Sequence, residues 1–274
     1  MPEPDYASDT ALLEAAVREG GAIAKSFLTG HNKTRRKPDG SPVSDADLAV
    51  DRFLNETLRP ARPDYAWLSE ETEDDAARLT ARRLFVVDPI DGTVAFLRAK
   101  PHFVVSAAVV EDGLPVAAAV YNPLTEECFT ATKGLGAWRN GAPIRVGSRD
   151  RLEGCRMLAS QETLRNPCWH AVAWPQMVLE TPNSIAYRFA LVAGGAFDAA
   201  ITTSATHDWD LAAADLIVRE AGGLSTSHDG KPMRFNRADI AQPSALAAGP
   251  ALHAAILSRL ERPVLGDSLG PKEP

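Results

Sequence analysis

Between residues 9 and 28 the apolar positions Leu12, Leu13, Ala16, Val17, Ile23, Ala24, Phe27 and Leu28 recur on one helical face, and Gly30 follows as a stop. The pattern predicts a first helix. The stretch HNKTRRKPDGSP reads as a polar loop. Ser44-Asp45-Ala46-Asp47 then has the form of a capping box opening a second helix with Ala46, Ala49, Val50, Phe53 and Leu54 as its buried stripe. Short strands are expected over 65–68 and 84–87, and an antiparallel run over 103–131 that turns at Glu111-Asp112-Gly113. Trp138-Arg139-Asn140-Gly141 signals a further hairpin. Beyond residue 150 the pattern alternates: a strand over 156–159, a helix over 184–193, a strand over 197–201, then helices over 210–221 and 251–260. These elements predict an N-terminal α+β lobe over 1–150 that carries the acidic motifs and a C-terminal α/β lobe over 151–262. A frayed tail is expected over 263–274.

Composition narrows the possible functions. A chain of 274 residues with 45% hydrophobic content can bury a large core, so disorder is not expected for its bulk. A net charge of −7 offers nucleic acid or an anionic membrane no general attraction, so neither is expected as a partner. Cys128, Cys155 and Cys168 are widely spaced and are expected as reduced, buried thiols. The acidic start MPEPDYASDT lacks a signal-peptide core and no apolar run reaches spanning length, so a cytoplasmic protein is expected. The sequons at Asn32 and Asn55 then carry no meaning.

The run RRLFVVDPIDGTVAFL breaks an apolar strand with two aspartates. Asp88 and Asp91 there, with Glu70 after one predicted strand and Asp210 at the start of a helix, lie where α/β architectures place ligands. Carboxylates gathered in one place repel unless a cation holds them ionised, and oxygen ligands without His or Cys favour Mg²⁺, Mn²⁺ or Ca²⁺. An EF-hand loop does not fit the spacing of Asp88-Pro89-Ile90-Asp91-Gly92. If a short helix begins at Gly92-Thr93, its first N–H groups form an anion site beside the cations, which together is an arrangement for phosphate chemistry. Asp47 serves either this site or its helix cap alone, and Glu71 is expected to be solvated.

On these motifs the sequence resembles the inositol monophosphatase superfamily of Mg²⁺-dependent, typically Li⁺-inhibited phosphatases. SEET (69–72), DPIDGTVAF (88–96) and WDLAAADLIVREAGG (209–223) resemble its three signatures in order, and GSPVSDAD (40–47) is similar to the segment before its second helix. The resemblance spans roughly residues 10–260. It implies a layered αβαβα sandwich, commonly a homodimer, with two to three ions. One ion would take Glu70, Asp88 and the Ile90 carbonyl, and a second would take Asp88, Asp91 and Asp210. A third would lie near Glu70. Water held by Glu70 and Thr93, with Asp47 behind them, would attack phosphorus, and the Gly92 and Thr93 N–H groups would hold the phosphoryl oxygens.

The substrate is expected to be a small phosphorylated metabolite contacted by Asp91, Gly92, Thr93, Asp210, Ser184 and Arg188. Asn183-Ser184-Ile185-Ala186 departs from the G-[ST]-A-A segment of inositol-type members, and Thr202-Thr203-Ser204 lacks their acidic residue. Arg188 stands where the 3'(2'),5'-bisphosphate nucleotidase branch has a lysine, which makes it a candidate for a second phosphate; a salt bridge is the alternative. That branch, hydrolysing 3'-phosphoadenosine 5'-phosphate, is the first reading, with inositol monophosphate and histidinol phosphate as alternatives. His207 and Asp208 stand either at the substrate or in packing and capping roles. A regulatory protein that retains the fold and contacts RNA polymerase is the rival of another class.

Overall fold

A computed structural model describes residues 5–38, 40–165, 173–203 and 206–260. The expected tail, Cys168 and Ser204 lie outside the described residues. The chain opens with α1 (Tyr6–Ser26), β1 (Thr34–Arg36), β2 (Pro42–Ser44), α2 (Asp45–Ala61), β3 (Ala66–Ser69) and a 3-10 turn (Ala76–Thr80). There follow β4 (Arg83–Asp91), α3 (Thr93–Phe96), β5 (Val104–Glu111), β6 (Leu114–Asn122), β7 (Glu127–Thr132), β8 (Gly136–Arg139) and β9 (Ala142–Pro143). Next come β10 (Arg156–Leu158), α4 (Gln161–Arg165), β11 (Val178–Glu180), α5 (Ile185–Ala193) and β12 (Ala199–Thr202). The chain closes with β13 (Thr206–His207), α6 (Asp208–Glu220), β14 (Leu224–Thr226), β15 (Ala241–Gln242), β16 (Ala245–Ala248) and α7 (Pro250–Leu257).

A seven-stranded sheet runs β3-β4-β5-β6-β7-β8-β9, parallel only between β3 and β4. Its central strands are covered on both faces, which is why Leu84 to Val87 form an unbroken apolar run. Leu84 and Val86 face one core while Phe85 and Val87 face the other. Both predicted hairpin turns form at the flagged residues: Asp112 and Gly113 have φ 50° and 79°, Asn140 and Gly141 have φ 49° and 78°.

Five layers stack in the αβαβα order. Leu13 and Val17 of α1 and Val50 and Leu54 of α2 pack on the outer face of the large sheet. Phe189 of α5 and Leu216 of α6 lie in a middle core, between Val86 and Phe129 of the large sheet and Ala200 and Ala247 of a second sheet. That sheet runs β11-β10-β12-β16-β14. Its other face carries Met157 and Leu246, which meet Leu252 and Ile256 of α7. Cys128 and Cys155 are buried, reduced thiols, each pushed up to about 12 chiefly by burial. Among the described residues no helix is long and apolar enough to cross a membrane.

One expectation fails in the stretch read as a polar loop, where β1 and β2 form an antiparallel hairpin. Three-residue strands with exposed β1 positions leave no apolar alternation to detect.

Candidate metal centre

The two aspartates of the opening motif are brought together by a defect in β4. Asp88 pairs with Ser106, but Asp91 pairs with Val104, so β4 holds one extra residue there. In an unbroken strand, residues three apart point to opposite faces; the bulge resets the alternation, and both carboxylates reach one site. The strand therefore runs to Asp91, past the expected end at Val87. Gly92 follows at φ 96°, and a Cβ there would lie 2.7 Å from the His102 carbonyl oxygen, so only glycine makes this turn.

Asp210 comes from α6, in the layer packed on the large sheet. It is the third residue of α6, where its Oδ2 accepts the His207 N–H at 2.6 Å in a capping box. One carboxylate oxygen each from Asp88, Asp91 and Asp210 lies within 4.8 Å of the others. Burial comes first among the causes that push all three acids up, and repulsion from Glu70 and between the aspartates adds to it. Asp88 and Asp210 stand well above the usual range, and Asp91 reaches about 6. Asp91 is held lower by three donors: Ser184 Oγ at 2.7 Å, Ala186 N at 2.7 Å and Ile185 N at 3.3 Å. Ser184 is fully buried and commits its hydroxyl to Asp91, so it acts on the site through that carboxylate. An all-oxygen set of crowded acids, two of them buried and Asp210 partly exposed, fits a hard divalent cation.

Thr93 Oγ1 lies 3.2 Å from Asp47 Oδ1 and 3.2 Å from the Ile90 carbonyl. Asp47 caps α2 through the Ser44 N–H at 2.8 Å and the Ser44 hydroxyl at 2.6 Å, so capping and contact with the site coincide in one residue. Burial raises its pKa.

Glu70 is not part of the three-aspartate group. Its Oε1 lies 2.7 Å from Lys37 Nζ, on the segment joining β1 and β2, and Glu71 Oε1 lies 2.7 Å from the same nitrogen. The Glu71 contact is an ion pair that lacks hydrogen-bond alignment. Glu71 contradicts the expectation that it is solvated: its side chain is 5% exposed, and burial pushes it up to about 7 against the pull of Lys37. Its burial follows from the fold of SEET over α2, which a local reading does not contain. Lys37 itself was not singled out from sequence, because its partners lie more than thirty residues away.

Arg188 is half-buried, its Nε donating to the Pro182 carbonyl at 2.6 Å, and no carboxylate among the described residues forms an ion pair with it. Burial lowers its pKa while the charge of Asp91 opposes the shift. His207 stacks on Trp209 at 4.8 Å and is half-exposed, whereas Asp208 is fully buried. Asp208 accepts the Asn236 N–H at 2.7 Å and Gln242 Nε2 at 2.8 Å, which is the packing role.

Several known proteins are similar to this chain. Inositol-1-monophosphatase of Rhizobium meliloti is 35% identical over 232 residues, covering 81% of this chain and 86% of the relative. Nus factor SuhB of Escherichia coli is 32% identical over 234 residues, covering 80% and 84%. The crystal structure of extragenic suppressor protein suhB from Bartonella henselae superposes with a TM-score of 0.80 at 29% identity, over 92% of this chain and 97% of that one. The Thermotoga maritima IMPase structure gives 0.76 at 26% identity, over 89% and 93%. Residues 5–264 match the profile of the Inositol monophosphatase family, a span that contains Asp88, Asp91 and Asp210. This chain is a member of the inositol monophosphatase family of metal-dependent phosphatases.

Proposed function

We propose that this protein hydrolyses a small phosphate monoester with Mg²⁺ held by Asp88, Asp91 and Asp210, together with Glu70 and the Ile90 carbonyl. The observation that carries the reading is the convergence, within 4.8 Å, of two buried aspartates and a third, Asp210, that is partly exposed, an arrangement whose repulsion a divalent cation relieves. When bound, the ions supply Lewis-acid stabilisation of phosphoryl charge and make water acidic enough to attack at neutral pH. The chain's own groups do the rest. Thr93, aligned by Asp47, orients the attacking water, with Glu70 as its second acceptor. The Gly92 and Thr93 N–H groups, at the start of α3, hold the phosphoryl oxygens.

Two substrates compete. Arg188, which has no ion-pairing carboxylate among the described residues, favours a molecule with a second anionic group, such as 3'-phosphoadenosine 5'-phosphate. The names of the relatives favour inositol 1-phosphate. Measuring kcat/KM with Mg²⁺ on both, and on histidinol phosphate, separates them; the bisphosphate reading requires Arg188→Ala to lose rate on that substrate alone. Relatives that carry the name Nus factor SuhB favour a regulatory role as the second class. Wild-type protein that releases no phosphate from any of the three esters overturns the enzymatic reading. The expected homodimer is checked by light scattering of the eluted protein.

A further inference from the structure

We propose that Asp51 is a positioning residue that sets Glu70 against Thr93, so that a single helix, α2, aligns both groups that orient the attacking water. The inference rests on the function proposed above. Asp47 and Asp51 are four residues apart on α2 and therefore share one face of it, one turn apart. Both are buried. Asp47 receives the Thr93 hydroxyl at 3.2 Å. Asp51 receives Ser69 Oγ at 2.5 Å on Oδ1 and Thr72 Oγ1 at 2.8 Å on Oδ2. Those two hydroxyls bracket Glu70 and Glu71, so the carboxylate grips the segment on either side of the acids it presents.

The orientation of that grip is fixed. Trp67 Nε1 donates to Thr72 Oγ1 at 3.2 Å, which leaves the Thr72 proton for Asp51. The Glu71 N–H lies 3.4 Å from Ser69 Oγ, whose proton likewise goes to Asp51. Each hydroxyl thus accepts from the chain and donates to the carboxylate. An ionised carboxylate offers an acceptor to both, whereas an amide in its place offers one acceptor and sets an N–H₂ against the other hydroxyl. Asp51 touches neither substrate nor metal ligand side chain; it acts through the segment that carries Glu70.

A double-mutant cycle tests this. Asp51→Asn is expected to lower kcat by about tenfold to a hundredfold with little change in KM, the cost of a group displaced by a fraction of an ångström to an ångström. Glu70→Gln lowers kcat further, and Asp51→Asn added to it should cause a further loss of less than about threefold, because the pair acts as a unit. In Mn²⁺ titrations of the free protein, Asp51→Asn should weaken the same binding step that Glu70→Gln removes and leave the other step within about threefold. Additive losses, wild-type turnover, or a Mn²⁺ isotherm in which Asp51→Asn leaves the Glu70-dependent step unchanged or weakens the other step instead overturn the inference. If Asp51→Asn does not fold, Thr72→Val, which removes one arm of the grip, carries the same cycle with a smaller loss. Wild-type protein with no Mg²⁺-dependent phosphate release on any of the three esters overturns the function and this inference together; wild-type turnover with additive losses overturns the inference alone.

Discussion

The three aspartates and the Glu70–Glu71 pair are both acidic clusters, yet they are held in opposite ways. Asp88 and Asp91 are fixed by a strand bulge and Asp210 by a helix cap, so backbone geometry forces their charges together, and among the described residues no Lys or Arg forms an ion pair with any of the three. Glu70 and Glu71 share one cation, Lys37, which sits on a small polar hairpin. The first cluster keeps its repulsion in store for an ion; the second has an internal substitute for one. One site therefore combines a rigid, charge-frustrated half with a satisfied half whose cation is tethered by a flexible side chain.

The largest effect expected from breaking the first half is on turnover. Asp88→Asn should lower kcat by about a thousandfold or more, as for loss of a group that stabilises transition-state charge. In EDTA the same variant should melt no lower than wild type, because it removes a repelled buried charge; phosphate release and a thermal melt check both.

Next comes linkage between metal and stability. The aspartates have folded pKa values above their unfolded ones, so their protonated forms favour the fold. That contribution is complete below about pH 4 and is lost as pH rises, through about 6 for Asp91 and through the raised pKa values of Asp88 and Asp210. Mg²⁺ binds the ionised forms, so its stabilisation should grow from pH 5 to pH 7.5. At a hundredfold excess over Kd the gain is about 2.7 kcal/mol, a Tm shift of roughly 5–10 °C. A Mg²⁺-induced shift that shrinks as pH rises contradicts the frustrated half.

The smallest effect tests the satisfied half. Lys37→Met removes the tethered cation, and Mn²⁺ should bind the Glu70-dependent step more tightly. The gain should be about fivefold or less, since a partly exposed ion pair contributes at most about 1 kcal/mol. A titration showing weaker binding would mean that Lys37 supports the ion instead of competing with it.

Much of this contrast was legible in the sequence, and the reasons are local. The apolar runs of β4 and β5, the two φ-positive hairpin turns and the Ser44–Asp47 box are written in contiguous residues. Asp88, Asp91 and Asp210 stood out together, because several carboxylates gathered at strand and helix ends repel unless a cation holds them. What stayed hidden depends on chain distant in sequence. The bulge at Asp88–Asp91 is defined by its partner strand, the burial of Glu71 by α2 and Lys37, and the grip of Asp51 by hydroxyls eighteen and twenty-one residues away. The parallel pairing of β10 with β11 and β12 is hidden for the same reason. For Asp51 a clue did exist, its position one turn after Asp47.

The bulge also governs which changes in length the gene can absorb. Residues 84–87 are threaded between two cores by strict alternation, so removing one residue upstream of Asp88 would turn every side chain of that strand to the wrong core, and removing one between Asp88 and Asp91 would part the acids. Variation in size is thus barred from the last turn of β4 and diverted to the surface connections, where Asp112-Gly113 and Asn140-Gly141 can grow without disturbing either acid.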